Sequence, residues 1–170
     1  MGRLAWNLPI ETQTHAKDRS LTVQNDQLPL PSVGASLVDA ATFRLLLELE
    51  IRKAQRLRYC LSLVRLRGRI LGGDGAAASL AHILASRVRA TDVALASGTD
   101  EVALLLIDAD ISSLPTILRR VIADFEGTPW YAGVASFPKS GSSPDHLLDH
   151  AERMLMEAER NSERGAPQQS

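Results

Sequence analysis

Residues 97–106 read S-G-T-D-E-V-A-L-L-L: a small turn, the adjacent acids Asp100 and Glu101, then an unbroken apolar run. Two carboxylates at the mouth of a buried strand are hard oxygen ligands of the kind that hold Mg²⁺, or they are the polar tip of a hairpin. Just upstream, Arg89 and Asp92 stand three apart. A guanidinium is a planar fork for phosphate or for the edge of a base; an Arg and an Asp at this spacing also form a local ion pair at a helix end. His146 and His150 are four apart, a spacing that can ligate a metal. No third ligand accompanies them, and Arg153 and Glu157 continue their row, so a solvated helix face is expected. L-G-G-D-G (71–75) has glycines enough to cradle a phosphate, but it lacks the P-loop and dinucleotide patterns. It reads as a tight turn with Asp74 as a helix N-cap. Cys60 reads as a small core residue, and Trp130 and Tyr131 as packing.

These residues need elements to position them. Residues 40–58 have helical periodicity, with Phe43, Leu46, Leu47, Ile51, Ala54 and Leu57 on one face. Residues 59–67, Y-C-L-S-L-V-R-L-R, read as a strand that places Arg65 and Arg67 on one side. A helix over 75–90 turns Leu80, Ile83, Leu84 and Val88 inward. Strands at 92–97 and 101–108 are joined by Gly98 and Thr99 at hairpin spacing. A helix over 111–125, a strand over 130–137 and a helix over 143–160 follow, the last with Leu147, Leu148, Ala151, Leu155 and Ala158 inward. A hairpin inside an alternating pattern points to an α/β (α+β) fold with a mixed, mainly antiparallel sheet flanked by helices. Residues 1–33 carry Pro9, Pro29 and Pro31 without periodicity and read as a flexible arm. The domain is expected over 34–160, and 161–170 is expected to be a disordered tail.

The length of 170 residues suits one domain with a sizeable core, and 45 % apolar with 23 % charged residues is ordinary for a globular protein. A net charge of −1 argues against a nucleic-acid or anionic-membrane partner. One cysteine excludes a disulfide framework and fits a reducing compartment. No apolar run approaches membrane-spanning length, and the N-terminus lacks the apolar segment of a secretory signal. A cytoplasmic protein is expected.

Several blocks together resemble the GGDEF family, the diguanylate cyclase fold. L-V-D-A-A-T-F (37–43) stands where that family has L-x-N-R-R-x-F, and E-I-R-K-A-Q-R (50–56) is similar to its E-x-x-R-A-x-R. R-A-T-D-V-A-L-A-S-G-T-D-E-V-A-L-L-L (89–106) follows, without a gap, the family's run from R-x-x-D into the signature hairpin. The signature reads Gly98, Thr99, Asp100, Glu101, Val102. G-V-A-S-F-P (133–138) and A-E-R-M-L-M-E-A-E-R (151–160) resemble the closing strand and helix. The likeness implies a nucleotide-cyclase, ferredoxin-like sheet whose central hairpin carries a degenerate signature.

The resemblance also implies chemistry. Active members hold Mg²⁺ and GTP between the hairpin acid and an Asp that ends the first strand. Here Asp100 and Glu101 keep the hairpin acids, but the family's D-x-D is Arg65-Leu66-Arg67. At about 4 Å and an effective dielectric of about 20, each unit-charge pair is on the order of 4 kcal/mol, and the change of sign turns that attraction for a cation into repulsion. The nucleotide loop is shortened to G-R-I-L-G-G-D-G-A-A-A-S, the second signature glycine is Thr99, and the family's late Lys is Glu159. No catalytic residue, metal or cofactor is therefore expected. The arginines either hold phosphate or pair with Asp100 and Glu101 across the hairpin, and the pairing is the favoured reading. Arg89 and Asp92 keep the spacing of the family's inhibitory site for cyclic di-GMP, with Arg119 or Arg120 adding a phosphate contact. The expected function is a catalytically inert domain that binds cyclic di-GMP there. The alternative is a nucleotide-independent scaffold that dimerises or docks a protein partner. A residual cyclase, making cyclic di-GMP from GTP, ranks third.

Overall fold

A computed structural model describes residues 34–68, 76–123, 125 and 129–165, all within the unit Pro31–Ser170. The expected arm, the 71–75 turn with Asp74, and the last five residues lie outside them. The element order is β1 (Ser36–Leu37), α1 (Ala40–Leu57), β2 (Leu61–Gly68), α2 (Ala76–Ala85), β3 (Val93–Ser97), β4 (Glu101–Ile107), α3 (Leu114–Val121), β5 (Trp130–Phe137) and α4 (Pro144–Gly165). The sheet runs β1-β3-β4-β2-β5. Only β1 with β3 is parallel; the other pairs are antiparallel. The mixed, mainly antiparallel sheet is as expected.

Period-two alternation sends successive side chains of β2 and β4 to opposite faces. Val64, Leu66, Val102, Leu104 and Leu106 pack with α2 and α3. Leu61, Leu63, Ala103 and Leu105 pack with α1 and α4. Both faces of these strands are covered, which explains their nearly continuous apolar sequence. Helix α1 starts at Asp39, whose carboxylate accepts from the Thr42 amide at 2.7 Å. It ends at Arg58, in the left-handed region at φ 58°.

The observed elements depart from the sequence reading at their ends. Strand β1 has two residues, too few to show a period. Helix α2 stops at Ala85, because the Ala85 carbonyl accepts the Ala35 amide at 2.9 Å where the chain enters β1. Gly34 allows that approach: a Cβ there would lie 2.5 Å from the same oxygen. Ile83 consequently sits outside the buried stripe, 42 % exposed, and Leu57 at the end of α1 is 61 % exposed. Helix α3 begins only at Leu114, since the Asp110 carboxylate takes the Ser113 amide and the Ser112 hydroxyl in a turn. Helix α4 runs on through Asn161–Gly165, where a tail was expected. A polar helix end needs no core, and Arg164 in its last turn suits the helix dipole. Among the described residues no helix is long and apolar enough to cross a membrane.

One close approach sets the position of α4. Gly133 of β5 pairs with Arg65 of β2. A Cβ at Gly133 would stand 1.9 Å from the Ala151 carbonyl oxygen and 2.6 Å from the Leu155 amide nitrogen. The helix backbone therefore lies directly on the strand, and Leu147, Ala151 and Leu155 are fully buried beneath it. Gly133→Ala must push α4 outward. It is expected to lower stability by about 2–3 kcal/mol in urea denaturation; an unchanged midpoint would contradict this packing.

Candidate functional site

Two constellations lie at opposite ends of β4. At its first residue, Glu101 pairs in register with Arg67 of β2, and Arg65 lies two residues back on the same face. Glu101 is only 4 % exposed. Arg65 Nε donates to Glu101 Oε1 at 2.5 Å, and Arg67 Nη2 donates to Oε2 at 2.6 Å. Helix α4, seated on Gly133, brings two further carboxylates. Glu152 pairs with Arg65, and Glu159 accepts from Arg67 Nη1 through both oxygens, at 2.8 and 2.9 Å. Asp100 stays at the rim, 3.9 Å from Arg67 Nε. Burial works against the charge of Arg67, but its hydrogen bonds to Glu101 and Glu159 and the charge of those carboxylates outweigh it, and its pKa is raised.

This arrangement does not fit a divalent cation. Both oxygens of Glu101 are taken by guanidiniums, and two fixed positive charges stand where a cation would need further oxygens. Among the described residues no group of three or more His, Cys, Asp or Glu side chains converges to hold a metal.

At the other end of β4 a cleft of about 390 Å³ opens between the loop before β3, the end of β4 and α3. Arg89, Asp92, Asp108, Ser113, Thr116 and Arg120 are among its lining residues. Asp92 is 5 % exposed. Its Oδ2 accepts from the Arg89 amide and its Oδ1 from the Ile107 amide, each at 2.9 Å. The two residues of the R-x-x-D run are thus tied through the backbone of Arg89, leaving its guanidinium unused. Among the described residues, the guanidiniums of Arg89 and Arg120 have no hydrogen-bond or ion-pair partner. Arg119, one position earlier on α3, does not line the cleft.

Solved structures share this arrangement of strands and helices. The GGDEF domain of YfiN (TpbB) from Pseudomonas aeruginosa superposes with a TM-score of 0.68 at 24 % identity, over 74 % of this chain and 92 % of that one. The active GGEEF domain of a diguanylate cyclase from Vibrio cholerae gives 0.65 at 16 %, over 74 % and 93 %. The GGDEF domain of DgcB from Caulobacter crescentus, in complex with c-di-GMP, gives 0.63 at 14 %, over 89 % and 95 %. The fold is that of a GGDEF domain. No protein-family model matches the sequence, and no curated protein matches it.

In this GGDEF fold the signature segment Gly98–Val102 forms the β3–β4 turn and the start of β4. Gly98 has φ +69° with open space around it, so the turn, not a neighbour, requires glycine. Thr99 is exposed and Val102 is fully buried. His150 Nδ1 lies 3.4 Å from Arg153 Nη2, in keeping with a solvated face. Cys60 is half-buried, not a full core residue. Trp130 packs edge-on against Phe125 at 5.3 Å and covers Gly68.

The sequence reading missed Glu152. Glu152 and Glu159 are seven apart, two helical turns on one face, facing an Arg-x-Arg strand. That spacing was the available signal for the network.

Glu101 is the shared acceptor of the network. Glu101→Gln removes the charge between two guanidiniums while keeping the shape. It is expected to cost about 2–3 kcal/mol, read from the urea midpoint at an unchanged slope. Loss of less than about 0.5 kcal/mol, the range of an exposed pair, would contradict a buried clamp.

Proposed function

We propose that this chain is a catalytically inert GGDEF-like signalling domain that binds cyclic di-GMP in the cleft of Arg89, Asp92 and Arg120. One observation carries the reading: the β2 arginines beside the hairpin are consumed by carboxylates, whereas among the described residues those of the cleft are not. Arg65 and Arg67 are held by Glu101, Glu152 and Glu159, so they offer nothing to a triphosphate. Arg89 and Arg120 line one concave site without partners among the described residues. Two planar forks converging on a cleft suit an anion with flat bases, the chemistry of a cyclic dinucleotide. A neighbour of the same fold was solved with c-di-GMP bound, which supports the ligand class. The R-x-x-D spacing of Arg89 and Asp92 supports the location.

A second reading, a scaffold that dimerises or docks a protein without nucleotide, is favoured by Leu45 and Leu49. They lie one turn apart on α1 and are 55 % and 40 % exposed. A silent cyclic di-GMP titration together with a dimer in analytical ultracentrifugation would favour it.

Calorimetric titration of cyclic di-GMP into wild type, Arg89→Ala and Arg120→Ala tests the main reading. Wild type is expected to bind, and each substitution to weaken binding by about tenfold or more, the equivalent of one charge-assisted hydrogen bond. No heat with wild type, or unaltered affinity in both variants, would overturn it. Incubation with GTP and Mg²⁺ or Mn²⁺ is expected to yield no cyclic di-GMP above background; product would overturn the inert assignment.

A further inference from the structure

Ser62 interrupts the apolar start of β2, and it is fully buried. A hydroxyl withdrawn from water costs free energy unless it finds a partner. Ser62 finds one past the end of the neighbouring strand: its Oγ donates to the Ala109 carbonyl at 2.7 Å. A hydroxyl has a single hydrogen, so in the 3.4 Å contact between the Oγ atoms of Ser62 and Ser136 the donor is Ser136. Ala109 stands just beyond β4. The ladder ends where Leu61 faces Ile107, and Ser62 faces Leu106 one pair earlier. The chain then turns at Asp108, which holds φ 52°. A residue with a side chain keeps that left-handed conformation only where its surroundings hold it. Both of its neighbours are held: Asp92 accepts the Ile107 amide at 2.9 Å, and Ser62 donates to the Ala109 carbonyl. Leu106, Ile107, Asp108 and Ala109 all line the cleft, whereas Ser62 does not.

From this we infer that Ser62 is a positioning residue for the cleft. Through the Ala109 carbonyl it fixes the bend that forms the β4 side of the site, without itself touching a ligand. A wall held before binding spares the complex the cost of ordering it, so the hydroxyl acts on affinity as well as on stability. Asp92 holds the wall at Ile107 from the loop before β3. Ser62 holds it at Ala109 from the core of the sheet. The inference rests on the cyclic di-GMP reading above and assigns what shapes that site.

The test compares calorimetric titrations of cyclic di-GMP into wild type, Ser62→Ala, Ser62→Cys and Ser136→Ala, with urea denaturation and amide hydrogen exchange of each. Ser136→Ala is the control: it removes a buried hydroxyl from the same place but leaves the bond to Ala109. Ser62→Ala is expected to bind about fivefold more weakly or worse. Its Ile107 amide should exchange faster than its lowered stability accounts for. Ser62→Cys keeps a weak donor of similar size and should fall between Ser62→Ala and wild type. Ser136→Ala should lose stability and bind as wild type does. Wild-type affinity in Ser62→Ala, or an equal loss in Ser136→Ala, would overturn the assignment while the cleft stands. If Ser62→Ala does not fold, Ser62→Cys decides: reduced affinity with faster Ile107 exchange upholds the assignment, and wild-type affinity overturns it. Silence of wild type toward cyclic di-GMP would overturn the cleft reading and this assignment with it.

Discussion

A carboxylate with 4 % of its surface in water needs a compensating charge, and Glu101 meets that need with two guanidiniums. Much of the packing around it is a consequence. Desolvating an isolated carboxylate costs several kcal/mol, so β2 must present cations at the register of β4's first residue, and Arg65 and Arg67 do so by strand alternation. Those cations are themselves only 20 % and 27 % exposed, and they in turn need Glu152 and Glu159. The helix that supplies these can reach only because Gly133 has no side chain. Hairpin, sheet centre and closing helix are therefore fixed by one chain of charge neutralisation. Each member answers for the burial of the previous one.

The same logic separates the two ends of β4. Where every cation has its carboxylate, an incoming phosphate would have to displace hydrogen bonds of 2.5–2.9 Å and uncover a buried acid. Where the cations have no carboxylate among the described residues, at Arg89 and Arg120, an anion has no such ion pair to break. Positive charge alone does not distinguish the two sites. What distinguishes them is whether the protein has already used it.

The fold was legible in the sequence wherever burial is periodic. The stripes of α1 and α4, the continuous apolar β2 and β4, and the turn at Gly98 all follow from side-chain spacing, and they recur in the structure. Ends were less legible, because they are decided by contacts from elsewhere. Ala85 stops α2 by giving its carbonyl to Ala35, and Asp110 delays α3 by capturing Ser113. At the site, the pairing of Arg65 and Arg67 with Glu101 could be expected from alternating positions and opposite charge. The part of Glu152 was legible only as its seven-residue spacing from Glu159 on one helix face; that the face meets these arginines depends on how closely α4 approaches β5. Asp92 was visible as a residue but not in its bonding: a carboxylate three positions after an arginine suggests the guanidinium as partner, whereas the backbone amide takes it.

The distance between the ends explains how one can be closed and the other open. Glu101 and Ile107 are the first and last residues of β4; six steps of about 3.4 Å place them about 20 Å apart. That exceeds the screening length of about 8 Å at physiological ionic strength. The charges of Arg65 and Arg67, already neutralised by carboxylates, therefore change the potential at Arg89 and Arg120 little. Mechanical linkage is also weak in that direction, because Ile107 holds Asp92 through a backbone amide, which is indifferent to the side chains at the hairpin. The cleft depends on β4 having its full length and pairing, and not on what is coordinated at its start. The ion-pair network of Arg65 and Arg67 is consequently a local feature, which ties β2 to β4 and α4 and leaves the geometry of the distant cleft to its own contacts.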